Sequence, residues 1–113
     1  MNYKIVTTNN FDLRIKALAK KYHSFAEDLK VFKKELLENP QKGADLGDNT
    51  RKVRMAIASK NKGKSGGARV ITWHFYVDEQ NAKIYLLTIY DKGDQSSISR
   101  KEIQRLKEDN GLL

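Results

Sequence analysis

The sequence predicts an α+β fold. A short β-prone run and two amphipathic helices come first, the hydrophobic period then falls to two for three strands, and a capped helix closes the chain. The order strand, helix, helix, three strands, helix implies helices packed on a small, mostly antiparallel sheet. At 113 residues the chain is expected to form a single domain over residues 1–113 with one modest core. No internal repeat, low-complexity tract or linker interrupts it.

Tyr3 to Thr8 is the first strand, with Tyr3, Ile5 and Thr7 on one side and Lys4, Val6 and Thr8 on the other. Asn9 and Asn10 are the candidate caps of a helix on which Phe11, Ile15, Leu18, Ala19 and Tyr22 recur at helical spacing. Ser24 followed by Glu27 has the capping-box spacing, and the stripe Phe25, Leu29, Phe32 and Leu36 continues until Asn39-Pro40 stops it. The connection near His23 is so short that the two helices are expected to form an antiparallel hairpin.

The segment holding Gly43 and Gly47 reads as a loop. Beyond it Val53, Met55 and Ile57 alternate with Lys52, Arg54 and Ala56, which sets two basic side chains on the face opposite the apolar ones. A second strand runs from Ala68 to about Val77, with Ile71, Trp73, Phe75 and Val77 facing one way and Val70, Thr72, His74 and Tyr76 the other. Asp78 to Asn81 is a turn. Lys83 to Tyr90 is apolar on both faces, counted by twos as Ile84, Leu86 and Tyr90 against Tyr85, Leu87 and Ile89, which marks a strand inside the sheet. Ser99 and Glu102 form a second capping box, Ile98 can staple onto Ile103, and Gly111 ends the last helix.

Charge is the strongest functional signal. Between Arg51 and Val70 stand seven cations and no acid, Arg51, Lys52, Arg54, Lys60, Lys62, Lys64 and Arg69, in a chain of formal net charge +8, so the rest of the chain nets +1. Glycines at 63, 66 and 67 let the backbone of this stretch approach a ligand closely. A focused basic block of this kind is the footprint of phosphate recognition, and nucleic acid is the first candidate ligand. Taken alone, a Lys/Gly loop is more often a solvated hairpin connection, and Lys52 and Arg54 are equally compatible with the wet face of a strand.

Other chemistries fit poorly. The chain has no cysteine, which excludes disulfides and thiolate metal sites, and no membrane span or signal peptide is legible, so a soluble cytoplasmic protein is expected. Gly63-Lys64-Ser65 resembles the end of a phosphate-binding P-loop, but the required first glycine falls on Ala58 and a strand follows instead of a helix. His23 and His74 are isolated and read as structural. Trp73 and Phe75 read as core, whereas Tyr76 and Tyr90 are candidates to stack on RNA bases.

The segment RKVRMAIASKNKGKSGGARVITWHFYVDEQNAKIYLLTIYDKGD, residues 51–94, resembles the core of RelE/HigB-type toxins of bacterial type II toxin–antitoxin systems, in the RelE/ParE superfamily. The shared features are a basic strand, a Gly-Arg hairpin strand, an aspartate-containing turn and an apolar strand ending in Tyr-x-Lys-x-acid. The Lys-Gly-Lys loop is closest to the HigB-like branch. The resemblance implies a RelE-like fold and a ribosome-dependent mRNA interferase that inhibits translation. Such an enzyme cuts by attack of the RNA 2′-hydroxyl without a metal or other cofactor. It further implies a cognate antitoxin as partner, the ribosome and mRNA as targets, and no membrane.

Carried over by position, the resemblance makes Lys52, Arg54, Arg69 and Lys92 the catalytic candidates, with Arg51, Lys60, Lys62, Lys64, Tyr90 and Asp94 as contacts to RNA or the ribosome. Arg69 is the first choice for phosphate, because a guanidinium offers a two-pronged fork that stays charged. It lies outside the apolar alternation, so its removal is expected to spare the fold. Lys52 is the candidate base, since crowded cations hold their protons less firmly. Relatives carry an arginine where this chain has Gly93, and the aromatic acid of their C-terminal segment falls near Ser99. The general acid therefore stays open, with Tyr90 or Asp94 as candidates and Lys60, Lys62 or Lys64 as replacements for the missing cation. Two other functions fit the same residues: a ParE-type inhibitor of DNA gyrase on the same scaffold, and a non-enzymatic RNA-binding module for which charge suffices.

Overall fold

The computed structural model describes residues 1–61 and 63–113. Lys62 of the basic loop lies outside the described residues. Strand β1 (Asn2–Thr7) leads into helices α1 (Asn9–Lys21) and α2 (Phe25–Glu38), followed by strands β2 (Ala44–Gly47) and β3 (Thr50–Met55). A 3-10 turn (Ala58–Lys60) and the one-turn helix α3 (Gly63–Gly66) precede strands β4 (Ala68–Tyr76) and β5 (Asn81–Asp91), and α4 (Arg100–Asp109) closes the fold. The sheet order is β1-β5-β4-β3-β2, with β1 parallel to β5 and the other pairs antiparallel. The α+β architecture and the mostly antiparallel sheet expected from the sequence are therefore present, with one strand more than the alternation indicated.

Each face of the sheet has its own core. On one side Val53, Met55, Val70, Ile84, Leu86 and Ile89 meet Phe11, Leu18, Phe25, Phe32 and Leu36 of α1 and α2. On the other, Ile71, Leu87 and Tyr90 meet Ile103 of α4, with Ile98, Trp73 and Tyr85 at the margin. A sheet covered on both faces needs interior strands that are apolar on both, and β5, paired with β1 and β4, is such a strand. Among the described residues no helix is long and apolar enough to cross a membrane.

Several local details differ from the sequence expectation, among them the 3-10 turn and α3 in a stretch read as a hairpin loop. Ala44–Gly47, read as loop, pairs with β3 as an edge strand; four residues without alternation carry no periodic signal. The N-cap of α1 is Thr8, whose hydroxyl accepts from the Phe11 N–H at 3.2 Å, and not Asn9 or Asn10. Ser24 occupies the N-cap of α2 without a capping bond, because its hydroxyl donates to Asp28 at 2.6 Å and accepts from the Ser59 N–H at 2.9 Å. The cap of α4 forms as expected, with the Glu102 N–H on the Ser99 hydroxyl at 3.1 Å.

A further difference is a bulge. Thr72 pairs with Leu86 but Ile71 pairs with Thr88, so Leu87 is an extra residue in β5. Beyond it the faces exchange: Ile89 joins the core under α1 and α2, and Tyr90 turns to the opposite face, the reverse of the count by twos. Thr8 secures the bulge, its hydroxyl lying 3.1 Å from the Leu86 carbonyl and 3.0 Å from that of Leu87.

Candidate functional site

The bulge decides which side chains leave the core at the end of β5. Arg54 stands opposite Arg69, and Arg69 opposite Tyr90, so three adjacent strands present Arg54, Arg69 and Tyr90 side by side on the face opposite α1 and α2. Lys52 lies on that face two residues from Arg54, and Lys92 follows Tyr90 two residues on. Here the sheet opens into a cleft of about 690 Å³ lined by Lys42, Gly43, Ala44, Lys52, Val53, Arg54, Lys64, Arg69, Lys92 and Ser96. Six of these are cations and none is an acid. All four catalytic candidates meet in it.

The loop wall of the cleft depends on Arg69, which is only 6% exposed. Its guanidinium donates to the carbonyls of Lys64 at 3.2 Å, Ala68 at 3.2 Å and Ser65 at 3.0 Å, tying α3 to the head of β4. Arg69 is thus a fixed charge in the wall and a structural strut, which corrects the expectation that it can be removed without harm to the fold. Gly67 permits the close approach of this segment to β3, since a Cβ there would fall 2.1 Å from the Met55 carbonyl oxygen. The Lys92 N–H donates to the Gly67 carbonyl at 3.0 Å and joins the opposite wall to the same segment.

The remaining candidates divide. Lys64 lines the cleft and pairs with Glu35 of α2 at 2.9 Å, and Glu35 also holds Lys42 at 2.8 Å. The hydrogen bonds from Lys42 and Lys64 keep the Glu35 carboxyl below its usual range, and Glu35 in turn raises the Lys64 ammonium. Tyr90 is 4% exposed, so it does not offer a stacking surface; burial pushes its phenol up against the opposing effect of Arg69, and among the described residues its hydroxyl has no hydrogen-bond partner. Arg51 turns to the other face of β3, where it donates to the Gly43 carbonyl at 3.1 Å. Lys60 is spent in an ion pair with Asp91 at 2.6 Å, and exposed Asp94 lies 3.8 Å from Lys21, so neither lines the cleft.

Lys42, Ser96 and the clamp residue Glu35 escaped sequence reasoning. They stand outside the basic block, and topology alone brings them to it. Phe75, read as core, is 45% exposed, whereas His74 is buried as a structural residue, and that burial holds its imidazole below the ordinary range.

Fold and cleft together define a small α+β protein that gathers cations from several strands around one open site. A sequence model of the family described as the RelE toxin of the RelE / RelB toxin-antitoxin system matches residues 13–112, and the chain belongs to that family. It is the toxin of a toxin–antitoxin system, and an antitoxin is its partner.

Proposed function

We propose that this toxin is a ribosome-dependent mRNA interferase of the HigB-like branch that acts in the cytoplasm, without a metal or other cofactor. The observation that carries the reading is the convergence, among the described residues, of six cations and no carboxylate on one open cleft. Such a lining suits a polyphosphate strand and a reaction whose transition state gathers negative charge on a phosphorane. In this mechanism the 2′-oxygen forms a bond to phosphorus while the bond from phosphorus to the 5′-oxygen breaks. A 2′,3′-cyclic phosphate and a free 5′-hydroxyl result.

Lys52 serves as the general base for the 2′-hydroxyl. Arg54 offers its fork to the equatorial oxygens of the phosphorane, and Arg69 adds a fixed charge that needs no reorganisation. We assign the proton for the leaving oxygen to Lys92, on the wall formed by the segment after β5. Lys42 and Lys64 stand at the rim, held by Glu35.

Induction in a bacterial host, with growth and transcript 5′ ends followed together, tests the reading. The expected outcome is arrest with new 5′ ends inside translated frames, absent in the Lys52→Ala, Arg54→Ala double variant. Arrest with intact transcripts would overturn it in favour of gyrase inhibition, and unimpaired growth in favour of a protein that binds RNA without cutting it.

A further inference from the structure

At the end of β5 the fold buries a carboxylate that the proposed chemistry does not use. The Asp91 side chain is 2% exposed and points towards α1, on the face opposite Lys92. Its oxygens accept from Lys60 Nζ at 2.6 Å, from the Gly93 N–H at 2.8 Å and from the Tyr22 hydroxyl, with Lys21 Nζ at 3.5 Å. The donors come from the end of α1, the basic loop and the turn after β5. The same turn is closed by the N–H groups of Asp94 and Gln95 on the Asp91 carbonyl, at 3.0 and 3.2 Å. A Cβ at Gly93 would lie 3.3 Å from Asp91 Oδ1, so glycine lets the turn fold tightly over the carboxylate.

We propose that Asp91 is a positioning residue, whose carboxylate locks the turn carrying Lys92 and Ser96 to the basic loop carrying Lys64 and so fixes the separation of the two cleft walls. Burying a charge is costly unless it is paired and hydrogen-bonded, and an ion pair in such a place is often no more stabilising than apolar packing. Stability alone therefore gives little reason for a carboxylate here, whereas geometry gives one. The basic loop and the turn after β5 are irregular, and irregular segments flanking a site need an explicit tie, here to the end of α1, to hold a reactive ammonium in place. Burial pushes the Asp91 carboxyl up, but the bonds from Lys60, Tyr22 and Gly93 prevail and hold it well below the usual carboxylate range. It is charged whenever the toxin works.

The catalytic consequence rests on the interferase reading; the mechanical one does not. Asp91→Asn keeps size and acceptor oxygen but removes the charge, and Tyr22→Phe removes one bond as a milder variant should the Asp91→Asn protein fail to fold. Amide exchange in the free protein is expected to quicken at residues 92–95 and 65–67 while Ile84 and Leu86 stay protected. On programmed ribosomes, kcat for mRNA cleavage should fall about 10- to 100-fold with KM nearly unchanged, as for a reactive group displaced by a fraction of an ångström to an ångström. Unchanged exchange in these segments, or lower thermal stability with kcat intact, would overturn the proposal. A wild-type protein that cuts no mRNA would refute the interferase reading, and the exchange measurement would still decide the role of Asp91.

Discussion

Arg54 and Arg69 face each other across β3 and β4, and among the described residues no carboxylate pairs with either. Like charges directly opposite on a sheet cost roughly 0.2–1 kcal/mol. The two arginines nevertheless differ, because Arg54 is exposed while Arg69 is buried on three carbonyls. Arg54→Gln is therefore expected to raise stability by about 0.5 kcal/mol at low salt, and to lower cleavage about 10²-fold through loss of a transition-state contact. Arg69→Ala should act in the opposite sense on the fold, costing about 1.5–3 kcal/mol as a buried charged donor is removed from its acceptors. Urea midpoints of the two variants check this directly. Loss of stability in both would show that the paired charges are not in conflict.

At the scale of elements the site depends on one inserted residue. Helix stripes, the alternation of β3 and the start of β5 are legible because side-chain period follows backbone geometry. The bulge is not, since Leu86-Leu87-Thr88-Ile89-Tyr90 contains neither glycine nor proline to mark it. Its anchor is Thr8, which caps α1 and holds the Leu86 and Leu87 carbonyls with one hydroxyl. Thr8→Val keeps the shape and removes the hydroxyl, so the cap, typically about 1 kcal/mol, and the bulge contacts are lost together, for an expected cost of about 2 kcal/mol. Thr8→Ser should recover most of it, and exposed Asn9→Ala should stay within about 0.5 kcal/mol of wild type. If Asn9→Ala were the more damaging change in urea unfolding, the capping assignment would be wrong.

For the whole molecule the question is where the charge of +8 is free to act. The basic block was legible as a run of residues, but its partition was not, because Lys60 meets Asp91 and Lys64 meets Glu35 only through the tertiary fold. Four cleft cations, Lys52, Arg54, Arg69 and Lys92, have no acidic partner within ion-pair distance among the described residues, while Lys42 and Lys64 share Glu35 at the rim. On a single strand each phosphate neutralised contributes about −0.7 to the slope of log K against log salt, so four contacts give about −3. Glu35→Gln releases the two rim lysines, and binding is expected to tighten at low salt with the slope steeper by about 1.4. Arg51→Ala, on the far face of β3, should leave the slope unchanged although it removes the same formal charge that Glu35→Gln adds. A 2′-O-methyl RNA strand, which lacks the nucleophile, allows the titration without cleavage. Equal slopes for wild type and Glu35→Gln would mean that Lys42 and Lys64 do not reach RNA; a shallower slope for Arg51→Ala would mean that RNA also contacts the opposite face of the sheet.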